Sequence, residues 1–277
     1  MSIFHAIVLG ITQGLSEYLP ISSSGHLILV PWLFGWHDFA NDDHLKKTFD
    51  VALHMGTLAG ALAYFRTDVL RYSRAALRML NHRDEPTTDG RIGWLLLLSA
   101  VPAALVGALL DNTIEKLDDK IWLIAVMLIA LGLVLLVADR LTGRRQVEEF
   151  RARDAVFMGA AQLIALQPGS SRSGTTITAG RWLGFDRDSA ARLSFLMALP
   201  ITAGAGLYKL ADVLSNGGIP SELRGAFIVG IITSGITGWF AVWGMLRFIR
   251  TRTFTPFVVY RVAAGVAVLT LLATSFR

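Results

Sequence analysis

The sequence predicts an all-α, multi-span membrane protein with a polar site held inside the bilayer. Three observations predict this fold class. Hydrophobic residues make up 53% of the 277 residues and charged residues only 17%, against about 25% in a typical soluble domain. Six segments are apolar over a length that suits a bilayer, which needs roughly 20 such residues. Two further apolar regions are each broken by a proline followed by a cluster of serine and glycine.

The first broken region runs from 3 to 36 and contains the stretch PISSSGH at 20–26. Its apolar pieces are too short for two spans, so it reads as a re-entrant hairpin. Such irregular backbone is tolerated at membrane depth only where protein or a wet cavity surrounds it. A cleavable signal peptide is not expected, because 1–20 lacks a basic leading region and carries Gln13 and Glu17. Spans follow at 49–65, 92–110 and 121–139. A linker at 140–153 leads to the second broken region, 154–184, which contains PGSSRSGTT at 168–176. Three more spans follow at 191–210, 225–246 and 255–274.

Charge orients these elements. Segments 66–91, 140–153, 181–192 and 247–252 hold 17 Lys/Arg, whereas 37–48, 111–120 and 211–224 hold 5. The positive-inside rule puts the first group in the cytoplasm. Connections then alternate only if both broken regions are re-entrant, with both termini outside. The net charge of +5 is thus an orientation signal, and no nucleic-acid partner is expected. The absence of cysteine excludes disulfides and a thiolate nucleophile. The pattern implies a single membrane domain built as an inverted repeat, 1–139 and 154–277 about the linker 140–153. Gly10 to Gln13 before Pro20 parallels Gly159 to Gln162 before Pro168. Repeats of this kind hold their ligand near the midplane, at the broken helices.

Ionisable residues inside a membrane mark functional sites. Gln13 and Glu17 are spaced i,i+4 and share a helix face. Ser23 and His26 are three apart and can meet on one turn. Arg172 stands among Ser170, Ser171, Ser173, Thr175 and Thr176 at an expected helix N-terminus. Backbone N–H groups and the helix dipole favour an anion there, and a guanidinium fork suits phosphate. The stretch is neither a Walker loop nor a Gly-x-Ser-x-Gly elbow. Asp50 and His54, also i,i+4, lie at the outer end of a span. Arg261 lies two turns into the last span, where snorkelling and ligand binding explain it equally.

These motifs resemble the undecaprenyl-diphosphate phosphatase family of bacteria, also called the bacitracin-resistance family. The resemblance rests on Gln13 with Glu17, on 20–26 and on 168–176, and extends to 49–56 and to Tyr260 with Arg261. It implies hydrolysis of a C55 polyprenyl diphosphate to the monophosphate, which recycles the lipid carrier for envelope polymers. It also implies a divalent cation, Mg²⁺ or Ca²⁺, and a site open to the outer face of the cytoplasmic membrane. Glu17, Ser23, His26 and Arg172 match the family's functional residues. Ser23 is then the expected nucleophile, with His26 as its base. Glu17 either orients His26 or, with Gln13, binds the cation. Ser22, Ser171, Ser173 and Thr176, with Gly169 and Gly174, would cradle the phosphates. A homodimer is compatible with the sequence. Two rival readings share the broken helices: a transporter of anionic solutes or lipids, and an intramembrane serine protease. A transporter has no use for a serine–histidine pair, and a protease has none for Arg172.

Overall fold

The computed structural model describes residues 1–39, 42–80, 87–118, 120–215 and 218–274. Parts of four predicted loops, at 40–41, 81–86, 119 and 216–217, and the chain end at 275–277 lie outside the described residues, as do the side chains of 108 and 110–118. The described residues form α-helices joined by short connections, with no strand among them. In order the helices are α1 Ile3–Tyr18, α2 Ser23–Phe34, α3 Asp43–Tyr64, α4 Arg66–Leu80, α5 Thr88–Asp118 and α6 Ile121–Asp139. They continue with α7 Ala152–Ile164, α8 Arg172–Trp182, α9 Arg187–Ser215, α10 Ser221–Ile249 and α11 Thr255–Ala273.

Five of these are long and apolar enough to cross a membrane: α5 over Thr88–Gly107, α6, α9, α10 and α11. The sixth predicted span, 49–65, falls in α3. That helix has 22 residues, enough for about 33 Å at 1.5 Å per residue, but its first turns carry Asp43, His44, Lys46 and Lys47. Asp42 caps it, accepting from the Leu45 N–H at 2.8 Å. The two broken regions form helix pairs. The helices α1 and α2 have 16 and 12 residues, and α7 and α8 have 13 and 11, each too short to span alone.

One segment differs from expectation. The predicted loop 66–91 contains α4, an amphipathic helix. Arg66, Arg71, Arg74 and Arg78 decorate it, while Tyr72 and Ala76 are buried and pack on α5. A charged face opposite an apolar one suits a helix lying at a membrane surface, so helical periodicity rather than mean apolarity is its signal. The predicted linker 140–153 is likewise tied down. Arg145 bridges to Asp154 at 2.5 Å and donates to the Leu183 carbonyl at 2.8 Å. Nearby, Arg187 meets Asp139 at 2.5 Å, and Asp139 also accepts from the Phe254 N–H.

Packing follows from small residues. In an apolar solvent, helices associate through close backbone approach rather than hydrophobic burial. The helix α10 lies between α1 and α3, and the seam is built from Gly10 and Gly14 of α1, Gly56 and Gly60 of α3, and Gly230 and Gly238 of α10. Ser234 reaches across to the Leu53 carbonyl at 2.9 Å. This seam holds α1 in place, and α1 carries Glu17. On the other side α7 packs on α5, where Gly159 meets the backbone of Ser99.

A Cβ at Gly14 would strike the Thr237 hydroxyl and lie 2.7 Å from the Ser234 carbonyl oxygen. Gly14→Val should therefore cost about 1–3 kcal/mol through overpacking and displace Glu17. A clear fall in melting temperature in detergent, with loss of turnover, is the expected result. An unchanged melting temperature would show that the seam can open.

Candidate active site

Each chain break is closed by a serine in an unusual conformation. Ser22 has φ 78° and Ser171 has φ 68°, the two positive-φ non-glycine residues among the described ones. Such strain costs on the order of 1–3 kcal/mol and gathers at functional sites. Both serines cap the following helix. The Ser22 hydroxyl accepts from the Gly25 N–H at 3.3 Å, and the Ser171 hydroxyl accepts from the Gly174 N–H at 3.1 Å. In this shared register the first helical residue is Ser23 in one turn and Arg172 in the other. The tips touch: a Cβ on Gly25 would lie 3.2 Å from the Gly169 Cα. Gly169 itself needs φ +89° and lies so close to Ile124 that no side chain fits.

Glu17, buried at the end of α1, gathers the polar groups of both tips. Its Oε1 meets Arg172 Nη2 at 2.5 Å. Its Oε2 accepts from the Ser23 hydroxyl at 2.6 Å and from Gln13 Nε2 at 3.0 Å. His54 Nε2 lies 3.5 Å from the same Oε2. A cavity of about 260 Å³ opens on this cluster and is lined by Glu17, Ser23, Ser24, His54, Ser171 and Arg172, with walls from α3 and α9. Arg172 has spent only one nitrogen: its buried Nη1 has no hydrogen-bond partner. A buried donor left unpaired costs about 1–3 kcal/mol, so Nη1 calls for an acceptor that the protein does not supply.

Several expected contacts differ here. His26 does not meet Ser23. Its Nδ1 donates to the Ser22 carbonyl at 2.7 Å, and its Nε2 is 2.6 Å from the Tyr260 hydroxyl, with the two rings stacked. The imidazole therefore braces the turn from behind. The imidazole on the cavity is His54, for which the sequence offered only i,i+4 spacing with Asp50. The Asp50 backbone carbonyl accepts from His54 Nδ1 at 2.7 Å, which leaves Nε2 as the basic nitrogen. Ser173 caps the end of α1 through the Leu19 carbonyl at 3.0 Å, and Thr176 bonds Ser194 of α9 at 2.6 Å. Both are committed inside the protein, as is the Ser22 cap, while Ser171 lines the cavity. Gly169 and Gly174 permit close approach and present no donor side chain. Ser24, not singled out from sequence, lines the cavity beside Ser23.

Arg261 is neither snorkelled nor on the cavity. Fully buried, it donates to the carbonyls of Leu128, Pro20, Met127, Gly169 and Ser170 at 3.0–3.2 Å. It thus satisfies the carbonyls that the broken helices expose. The expected cation pair, Gln13 with Glu17, lies together: Glu17 bonds Arg172 and Ser23, and Gln13 Nε2 donates to it at 3.0 Å while the buried Gln13 Oε1 has no hydrogen-bond partner. Among the described residues no cluster of three or more His, Asp or Glu side chains is found.

Fold and site together define a polytopic α-helical membrane protein with a serine and a guanidinium facing one cavity between two broken helices. The chain belongs to the bacitracin resistance protein BacA family, which it matches over residues 6–267. Similar proteins include the undecaprenyl-diphosphatase of Pelobacter propionicus, 45% identical over 99% of this chain and 98% of that protein. The undecaprenyl-diphosphatase of Nocardioides sp. is 43% identical, over 98% and 96%. That of Geobacter sulfurreducens is 45% identical, over 98% and 99%.

If Arg261 is structural, Arg261→Met strands carbonyls of both turns, at about 1–3 kcal/mol each. We expect a destabilisation of about 3 kcal/mol or more in thermal unfolding, in step with lost turnover. A variant that melts like the wild type but lacks turnover would move Arg261 into substrate binding.

Proposed function

We propose that this protein hydrolyses undecaprenyl diphosphate to undecaprenyl monophosphate and inorganic phosphate, recycling the lipid carrier of envelope polymer synthesis. The observation that carries this reading is Arg172, with an unpartnered Nη1, on a cavity that also holds a serine hydroxyl donating to a carboxylate. A guanidinium fork recognises phosphoryl oxygens, and the N-termini of α2 and α8 add partial positive charge.

The steps follow from the contacts. The terminal phosphate binds Arg172. Ser23 Oγ attacks its phosphorus and passes its proton to Glu17 Oε2; the Oγ–P bond forms as the bond from phosphorus to the bridging oxygen breaks. Polyprenyl monophosphate leaves. Water then attacks the phosphoserine, giving its proton to His54 Nε2, and Ser23 leaves with the proton held by Glu17. Arg172 stabilises charge on the transferring group in both steps. His26 is a positioning residue, acting through the Ser22 turn. A transporter has no need of the Ser23–Glu17 hydrogen bond, and the relatives are named as diphosphatases. We place the protein in the bacterial cytoplasmic membrane with the cavity reached from the outer side, on the strength of the arginine asymmetry.

Turnover should fall on the order of a hundredfold or more in Arg172→Ala, about 3 kcal/mol, and Arg172→Lys should restore little, lacking the planar fork. Ser23→Ala should be inactive. With substrate labelled in its terminal phosphate, His54→Ala should accumulate label on Ser23, seen by peptide mass spectrometry after acid quench. Label accumulating in His26→Ala instead would exchange the two imidazoles' roles, and turnover above a few per cent in Ser23→Ala would make water the nucleophile.

Orientation has its own check, because the chain has no cysteine. An impermeant maleimide should label Ser2→Cys in spheroplasts and leave Thr142→Cys untouched. The reverse pattern overturns the outward-facing assignment.

A further inference from the structure

The long helix α9 changes character at Pro200. Before it, residues 189–191 and 193–199 are all buried. After it, from 201 to 215, Gly206 alone is buried, and Leu207, Tyr208, Leu210 and Leu214 are more than half exposed. Proline supplies no N–H, so the Leu196 carbonyl loses its helical partner, and sharp helix bends gather at such positions. Gly204 follows one turn later, with nothing within 4 Å of where a Cβ would stand. The inner half of α9 is thus a fixed base, and the outer half is an arm.

The arm forms one wall of the catalytic cavity. Ile201, Thr202 and Ala205 of the arm line it together with Val51, His54 and Met55 of α3. Two contacts fasten the arm to α3. The Met55 side chain lies on Gly206, where it would meet any added Cβ. Further out, His44 Nε2 is 2.8 Å from Asp212 Oδ2, which Lys209 Nζ also meets at 2.7 Å. His44 stands seven residues before Val51, and Asp212 seven after Ala205. Seven residues are close to two helical turns, about 10 Å, so the pair closes the seam on the cavity's own side.

The other walls are fixed. The glycine seam holds α1 against α10, and Arg261 ties both chain breaks to α6. The arm is held by a flexible methionine and by an ion pair whose His44 side chain is half exposed, and exposed pairs are weak. Water reaches the site past the closed arm, since the His54 and Arg172 side chains are partly exposed. A prenyl chain needs another path, because carrying it through water is costly. It has to reach the cavity sideways from the bilayer, and the seam of α3 with the arm is the wall whose fastenings can release.

We propose that the outer half of α9 is a lateral gate for the prenyl chain: it pivots at Pro200, parts from α3, and is held shut by the His44–Asp212 pair. The occupant rests on the diphosphatase reading; the motion does not.

His44 and Asp212 touch no group of the proposed chemistry, so a tether between them tests the gate alone. The chain has no cysteine, and in His44→Cys with Asp212→Cys a short bis-methanethiosulfonate bridge pins the arm. With purified protein in detergent, we expect bridging to lower kcat/KM for undecaprenyl diphosphate about tenfold or more. A water-soluble five-carbon prenyl diphosphate should be hydrolysed as before, and reductant should restore the long substrate. Undiminished hydrolysis of the long substrate by fully bridged protein, or an equal fall for both substrates, overturns the gate. A second measurement needs no turnover. With spin labels on Asp43→Cys and Ser215→Cys, Asp212→Asn should add a longer-distance population in double electron–electron resonance, and Pro200→Ala in that background should diminish it. A distribution that either substitution leaves unchanged overturns the proposal. Failure of the wild type to hydrolyse either diphosphate sinks the diphosphatase reading, while the distances still report on the gate.

Discussion

Arg261 spends its guanidinium on backbone carbonyls from three parts of the chain: Pro20, Gly169 with Ser170, and Met127 with Leu128. The rest of the architecture depends on this arrangement. A helix that breaks inside a bilayer exposes carbonyls to a medium without water, at several kcal/mol each. Two helices break here, and their tips meet. One buried cation with several donors satisfies both breaks and fastens them to α6. The charge is itself expensive to bury, and removing one partner from such a cluster is more damaging than never having built it. With the turns held, Ser22 and Ser171 can keep their positive φ, and α2 and α8 begin at fixed points.

From those points come the two groups that the proposed chemistry uses. Ser23 and Arg172 occupy equivalent positions, the first residue after a strained capping serine. The same local fold thus presents a hydroxyl from one side and a guanidinium from the other. Glu17 joins them, accepting from both. Its counterpart by register in the second broken region is Leu166, four residues after Gln162 as Glu17 is four after Gln13. The carboxylate is therefore present on one side only, and this asymmetry makes a single site rather than two. Gln13 and Gln162, by contrast, are retained at equivalent positions and both are buried. Gln13 supports Glu17, and Gln162 donates to the Ser99 carbonyl at 2.9 Å, a packing role.

The scaffold around the site is made rigid by small residues on one side and left open on the other. The α1–α10–α3 seam permits no added methyl at Gly14 or Gly56, so the helix carrying Glu17 cannot drift. Between α6, α7 and α8 the alanines leave room instead. Small residues therefore serve two ends here, backbone contact in one place and free volume in the other. Composition alone does not distinguish them.

The amino-acid sequence by itself determined the fold class, the positions of the long helices and the two chain breaks. These depend on apolar run length and on proline with serine and glycine, which act within a few residues. It also singled out Glu17, Ser23 and Arg172, because ionisable and hydroxyl groups in apolar surroundings stand out. Helix α4 was missed because its signal is periodicity in a charged stretch. Only the tertiary structure shows which imidazole lies on the cavity. His26 lies three residues from Ser23 yet turns to Tyr260 of α11, while His54, from a separate helix, shares Glu17 with Ser23. It also decided that Thr176 packs on Ser194 and that Arg261 closes the turns. Spacing says which side chains can meet along one helix. Which of them actually face one another depends on how helices distant in the chain pack, and that is fixed by contacts between residues far apart in sequence.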